Sequence, residues 1–252
     1  MPEGDAVRRT ARRLAAALDG RELTRTDFRV PQHATADLSG GTVVETVSRG
    51  KHLLTRIDRD GQWTLHTHLK MEGSWRVHDH GRWSTRSPEV RVVLETARVA
   101  AVGYRLGIVE LLPRDREADV VGHLGPDLLG PDWDEAEALR RLGRDPDRPV
   151  FEAIRDQTLL AGVGTIYAAE VGFVMGVAPT TPVGEVPDLA RMVRRVQQML
   201  DRDWSRSRQL WVYRQRLCRR CGTQVRVDQL GPPGRERPAY WCPRCQPVRQ
   251  PT

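Results

Sequence analysis

Apolar residues recur at helical spacing near the amino terminus, then give way to a strand-like pattern. Val7, Ala11, Leu14, Ala15 and Leu18 share one stripe with arginines opposite, so residues 2–18 are predicted to form an amphipathic helix. Burying that stripe against a neighbour would hold the amino terminus in place. Between Arg21 and Glu110 the chain is strand-like, with short β-branched runs at 41–48, 52–57, 62–69, 90–95 and 98–102, separated by turn residues. The expected architecture here is a β-sandwich or closed sheet of roughly 90 residues.

The pattern changes after Leu112. Residues 113–119 are charged and read as a linker, and helical patterns follow at 134–142, 149–157, 166–173 and 186–200. Asp134 and Asp188 suit helix starts, and Pro149 suits a first turn. No repeat of 20–50 residues is present. Three units are therefore expected: 1–114, 115–212 and 213–252.

The last unit contains all four cysteines, as Cys218-x2-Cys221 and Cys242-x2-Cys245. This spacing reads as a closed tetrahedral zinc site, hence structural, with two disulfides as the competing reading. Between the pairs, residues 225–227 and 238–241 are predicted strands, with Gly231-Pro232-Pro233-Gly234 at or near the tip and Arg235 and Arg237 presented by the loop. An arginine fork there can clamp phosphate, although a zinc ribbon can also bind protein.

Charge sharpens this picture. The chain has 252 residues, a net charge of +7 and a pI near 9.8, which points to a polyanionic partner or a solvated basic surface. Between residues 191 and 252 there are 15 arginines and four acids, +11, so the remainder is −4. That polarity resembles a scaffold with a nucleic-acid-binding tail. Only two lysines, Lys51 and Lys70, accompany 38 arginines, so a task that needs a compact ammonium is worth seeking at each. No secretory signal or membrane-length apolar run is seen, which makes the cytoplasm the expected location.

Two further stretches carry candidate chemistry. Removal of Met1 from Met1-Pro2-Glu3-Gly4 would leave a secondary α-amine next to a carboxylate. An α-amine is substantially unprotonated near neutral pH and can form a Schiff base, while Glu3 can move protons; a frayed terminus is the plain alternative. In Asp156–Tyr167, Gly162 and Gly164 allow a tight turn and close backbone approach, and the N-terminus of the helix that follows offers free N–H groups to a phosphate. Such a turn can equally be a mere connection.

Taken in order, the Pro2-Glu3-Gly4 start, Gly50-Lys51 between strands, the Gly162–Thr165 turn and the four-cysteine hairpin resemble the Fpg/Nei family, the formamidopyrimidine-DNA glycosylases and endonuclease VIII enzymes. The resemblance covers nearly the whole chain. It implies an α+β multidomain fold: an N-terminal helix plus β-sandwich, a helix-two-turn-helix domain and a C-terminal four-cysteine zinc-finger β-hairpin, with DNA in the cleft between domains. It also implies that Pro2 attacks C1′ of a damaged nucleotide, that Glu3 assists ring opening and proton transfer, and that Lys51 and Arg237 hold phosphates. Gly162, Gly164 and Thr165 match the phosphate-binding turn, and one Zn2+ would sit on Cys218, Cys221, Cys242 and Cys245. Met71 matches the residue that fills the gap left by an extruded nucleotide, with ordinary sheet packing as its other reading. Glu170 and Asp127 resemble acids of the helical domain without a defined role.

There are departures. Ala6 replaces a frequent glutamate, with Asp5 beside it, and Thr165 replaces a frequent asparagine. Thr158 stands where formamidopyrimidine enzymes usually carry lysine, which favours the endonuclease VIII branch and oxidised pyrimidines. An oxidised-purine glycosylase and a non-catalytic damage-binding protein are the alternatives, and a monomer is expected.

Overall fold

The computed structural model describes residues 2–84, 86–203 and 210–248, which form two compact units, residues 1–123 and 124–252. Met1, whose removal the amino-terminal chemistry requires, lies outside the described residues.

In the first unit, α1 (Gly4–Leu18) starts two residues later than predicted and buries Val7, Ala11, Leu14 and Leu18. Eight strands follow: β1 (Arg25–Phe28), β2 (Thr42–Arg49), β3 (His52–Asp58), β4 (Gln62–His68), β5 (Ser74–Asp79), β6 (Val90–Glu95), β7 (Val99–Tyr104) and β8 (Ile108–Pro113). They make two four-stranded antiparallel sheets, in the orders β2-β3-β4-β8 and β1-β6-β7-β5. Leu53 and Leu65 from one sheet, Trp75 and Leu94 from the other, and the stripe of α1 share one core. Each such buried side chain contributes about 1.5–3 kcal/mol relative to exposure.

β1, β5 and β8 were not separated by the sequence pattern. β1 is Arg-Thr-Asp-Phe with only Phe28 buried, so it has almost no apolar signature. β8 is an edge strand, and so its terminal Pro113 costs no ladder hydrogen bond. The charged segment read as a linker is instead tied down as α2 (Glu117–Val121) and the turn before it. Glu117 accepts two hydrogen bonds of 2.7 Å from Arg56 on β3 and one from Thr64 on β4.

The second unit holds α3 (Glu135–Leu142), α4 (Val150–Ala153), α5 (Thr165–Met175), α6 (Leu189–Asp201) and a hairpin of β9 (Arg226–Leu230) and β10 (Arg237–Trp241). Asp134 and Asp188 cap α3 and α6 by accepting from Glu137 N and Arg191 N. α4 is shorter than its apolar pattern because Asp156 takes the backbone N–H and hydroxyl of Thr158 and pairs with Arg148, turning the chain. α5 is buried on nearly all sides, packed by α4, α6 and β10. No helix among the described residues is long and apolar enough to cross a membrane.

Candidate active site and metal centre

The amino-terminal group rests on α1. Pro2 is half-buried, while the carboxylate-bearing residues Glu3 and Asp5 are only 4% and 3% exposed. Burial of the α1 stripe fixes this first turn, and the carbonyl of Glu3 accepts from Val7 N at 3.0 Å. Carboxylates at a helix N-terminus are favoured by its free N–H groups. Ala6 is half-buried, so the second buried acid here is Asp5.

Lys51 sits in the two-residue turn between β2 and β3, which is closed by the Arg49–His52 pair. Positive φ falls on Gly50, at +57°, as a turn with glycine in its first central position requires. Lys51 is 6% exposed, unusual for a lysine. Met71 is 67% exposed and is not packed into the sheet. The cause is local: Lys70 takes a left-handed φ of +51°, its N–H is held by His68 Nδ1 at 2.9 Å, and its stem lies over Gly107, where a Cβ would collide. Met71 is thereby turned outward.

Sequence reasoning missed a histidine cluster around these lysines. Three of the seven histidines share one sheet face and a fourth, His123, meets them from beyond α2: His52 stacks on His66 with ring centroids 5.0 Å apart, and His68 and His123 lie edge-on to His52 at 4.9 and 6.4 Å. His52 Nδ1 and His66 Nε2 are 2.8 Å apart, and His66 Nδ1 lies 2.7 Å from Glu110 Oε2. Burial, then the neighbouring histidines and Lys70, push His52 down to about 3. Burial, Lys70, Lys51 and His66 push His68 down to about 4, and burial lowers His66 against the pull of Glu110. These rings are neutral at neutral pH, so the positive charge rests on Lys51 and Lys70. His68, whose Nδ1 accepts from a backbone N–H, carries its proton on Nε2 and can donate there. The sequence signal was the His66-x-His68 alternation, which puts both rings on one face of a strand.

In the second unit, Gly162 has φ +105° and Gly164 is the N-cap of α5, with Thr165 as its first residue. Gln157 braces the turn: its side chain accepts from Gly162 N and donates to the carbonyls of Val163 and Arg155. Gly125 comes so close to Leu159 that a Cβ would meet backbone carbon at 2.6 Å, and from there the 126–128 strand-like segment pairs with Ala161. Asp127 accepts from Leu129 N within this segment. Arg237 is exposed, but it opens β10 opposite Leu230 instead of lying in the hairpin tip.

All four cysteines carry free thiols, and their sulfurs lie within 4.8 Å of one another. The Cys218–Cys245 and Cys221–Cys242 separations are 4.0 and 3.5 Å, far beyond a disulfide bond and near the edge of about 3.8 Å that a tetrahedron of about 2.3 Å Zn–S bonds would have. Burial and the adjacent sulfurs push Cys245 up to about 12, whereas hydrogen bonds with Thr223 bring Cys221 down to about 6. As thiolates, four sulfurs this close could bind one metal ion, and the donor set fits it.

The hairpin is fastened to α5 by two buried polar side chains. Glu170, fully buried, accepts from the backbone N–H of Trp211, Val212 and Tyr213 at 2.8, 3.0 and 2.9 Å. Burial raises its carboxyl, and the three amides oppose that shift. Gln246 accepts from Cys242 N and donates to the carbonyl of Val177. Arg220 lies over Phe173 and Trp211, which stack on each other.

Residues 1–110 match the family model of the formamidopyrimidine-DNA glycosylase N-terminal domain. The chain is 50% identical to a probable endonuclease 8 2 of Streptomyces coelicolor, covering 98% of this chain and 94% of that protein. It is 49% identical to the DNA-(apurinic or apyrimidinic site) lyase Nei2 of Mycolicibacterium smegmatis, covering 98% and 99%. In fold it resembles Lactococcus lactis Fpg (MutM), solved with DNA containing N7-benzyl-Fapy-dG, with a TM-score of 0.81, 21% identity and coverage of 98% and 100%.

Proposed function

Because this chain belongs to the Fpg/Nei family, on its endonuclease VIII-like side, we propose that it is a bifunctional DNA glycosylase and AP lyase that removes oxidised pyrimidines. The observation that carries this reading is the amino terminus, where a half-buried Pro2 stands beside the buried acids Glu3 and Asp5.

With Met1 removed, the secondary amine of Pro2 bonds to C1′ of the damaged nucleotide and the glycosidic bond breaks. Glu3 supplies and takes up protons as the sugar ring opens. The resulting iminium acidifies the neighbouring sugar protons, and β- then δ-elimination cuts the strand on both sides of the lost base. Lys51 contacts phosphate at the lesion, and the exposed Met71 fills the gap in the stack. The turn at Gly162, Gly164 and Thr165, together with Arg237, holds further phosphates and so positions the duplex without reading its sequence. Cys218, Cys221, Cys242 and Cys245 hold one Zn2+, which supplies fold and no chemistry of its own because four thiolates fill its coordination. The working form is a monomer located in the cytoplasm, on the nucleoid if the cell is bacterial.

Borohydride trapping on duplexes containing an abasic site or thymine glycol tests this reading. The wild type should be captured covalently, Pro2→Gly should lose trapping, and Glu3→Gln should lose thymine glycol cleavage. Binding without trapping on either substrate would leave a damage-binding protein and overturn the enzyme reading. Preference for 8-oxoguanine over thymine glycol would overturn the pyrimidine assignment alone.

A further inference from the structure

Three neighbouring strands carry one directed hydrogen-bond chain that the proposed chemistry does not use. Glu110 on β8 lies opposite His66 on β4, and His52 on β3 is the diagonal neighbour of His66 on the same face. A carboxylate only accepts, so His66 must donate from Nδ1 and, being neutral, accept at Nε2. His52 must then donate from its own Nδ1. Both rings are thus set in the Nδ1–H tautomer, and the open nitrogen of His52, Nε2, carries a lone pair. In the opposite tautomer, two lone pairs would face each other at 2.8 Å and drive the rings apart.

His52 directly follows Lys51 and is half of the only strand pair that closes its turn. We propose that Glu110–His66–His52 is a positioning relay for Lys51: it fixes the first residue of β3, and with it the buried ammonium. The groups facing the relay are Lys51 in the turn, Lys70 and His68 at the end of β4, and His123 beyond α2. Protonating any of the three central rings would set a second cation against Lys51 or Lys70. This assignment rests on the enzyme reading for its purpose, but its geometry can be read without DNA.

Two lysines in the whole chain make the test direct, because 13Cε-lysine labelling of the full-length protein yields two side-chain NMR signals, assigned with Lys51→Arg. Imidazole 15N spectra should show the Nδ1–H tautomer for His52 and His66. His66→Phe, which keeps the shape without the hydrogen bonds, should shift the Lys51 signal and weaken binding to abasic-site duplex about tenfold, the order of one lost positioning hydrogen bond. His66→Gln, with both a donor and an acceptor, should restore most of it. Should His66→Phe fold poorly, Glu110→Ala gives the same readout at a half-exposed position. In a Lys51→Ala background neither change should weaken binding further. An Nε2–H tautomer at either ring, an unmoved Lys51 signal, or losses additive with Lys51→Ala would overturn the relay. Absence of trapping by the wild type would instead sink the enzyme reading and leave the NMR outcome standing.

Discussion

The two units hold their candidate polar groups in place by different means. In the first, Glu3, Asp5 and Lys51 are anchored by an apolar core shared between α1 and two sheets, and by register between long paired strands. In the second, Arg237 stands on a hairpin of two five-residue strands whose own core is a few side chains and four cysteines. A large core fixes its site by packing, whereas a small module has too little apolar area and must draw on its clustered cysteines, which could bind a metal ion, and on a few buried hydrogen bonds.

Removing the metal should break this comparison most sharply. Structural zinc is worth on the order of 10 kcal/mol to a small finger, so chelation or Cys242→Ser should unfold the hairpin and abolish its near-UV signal from Trp211 and Trp241. The first unit should keep its melting transition; a single shared loss in calorimetry would contradict the division.

A smaller effect is expected at Glu170. Glu170→Ala strands three backbone N–H groups inside the protein and should cost about 3 kcal/mol or more, read as a lowered denaturant midpoint for the second unit. Glu170→Gln, which keeps one acceptor, should cost less. Equal loss in both would show that the charge matters and the hydrogen bonds do not.

The first unit should be the acid-sensitive one. Its His52 and His68 have folded values of about 3 and 4, below the ordinary 6.5, so the unfolded chain binds more protons between those limits. Stability should be level above pH 6.5 and fall as pH drops toward 4, by at most about 1.4 kcal/mol per pH unit for each ring. Urea titrations from pH 7.5 to 4.5 should show this slope, and His52→Gln should reduce it. The smallest expected effect is on the other unit: Arg237→Ala should weaken DNA binding for all lesions alike and lower the salt slope by about one.

What the chain determined alone were features with a local cause. Periodicity placed α1, the strands between residues 42 and 68, and the helices of the second unit, because burial on one face writes a period of 3.6 or 2 into neighbouring residues. The paired Cys-x2-Cys spacing marked the four-cysteine cluster, because two sulfurs on one tight turn must be close in sequence. Tertiary structure alone decided the rest. It turned Met71 outward through the left-handed backbone at Lys70, made Glu170 the fastening of the hairpin, and bound residues 114–121 to the sheet through Arg56 and Glu117. It also joined His52, His66 and Glu110, which are 14 and 44 residues apart along the chain. Contacts made by strand register between distant segments leave no mark on either segment alone, and that is why this line of hydrogen bonds is visible only once the sheet is formed.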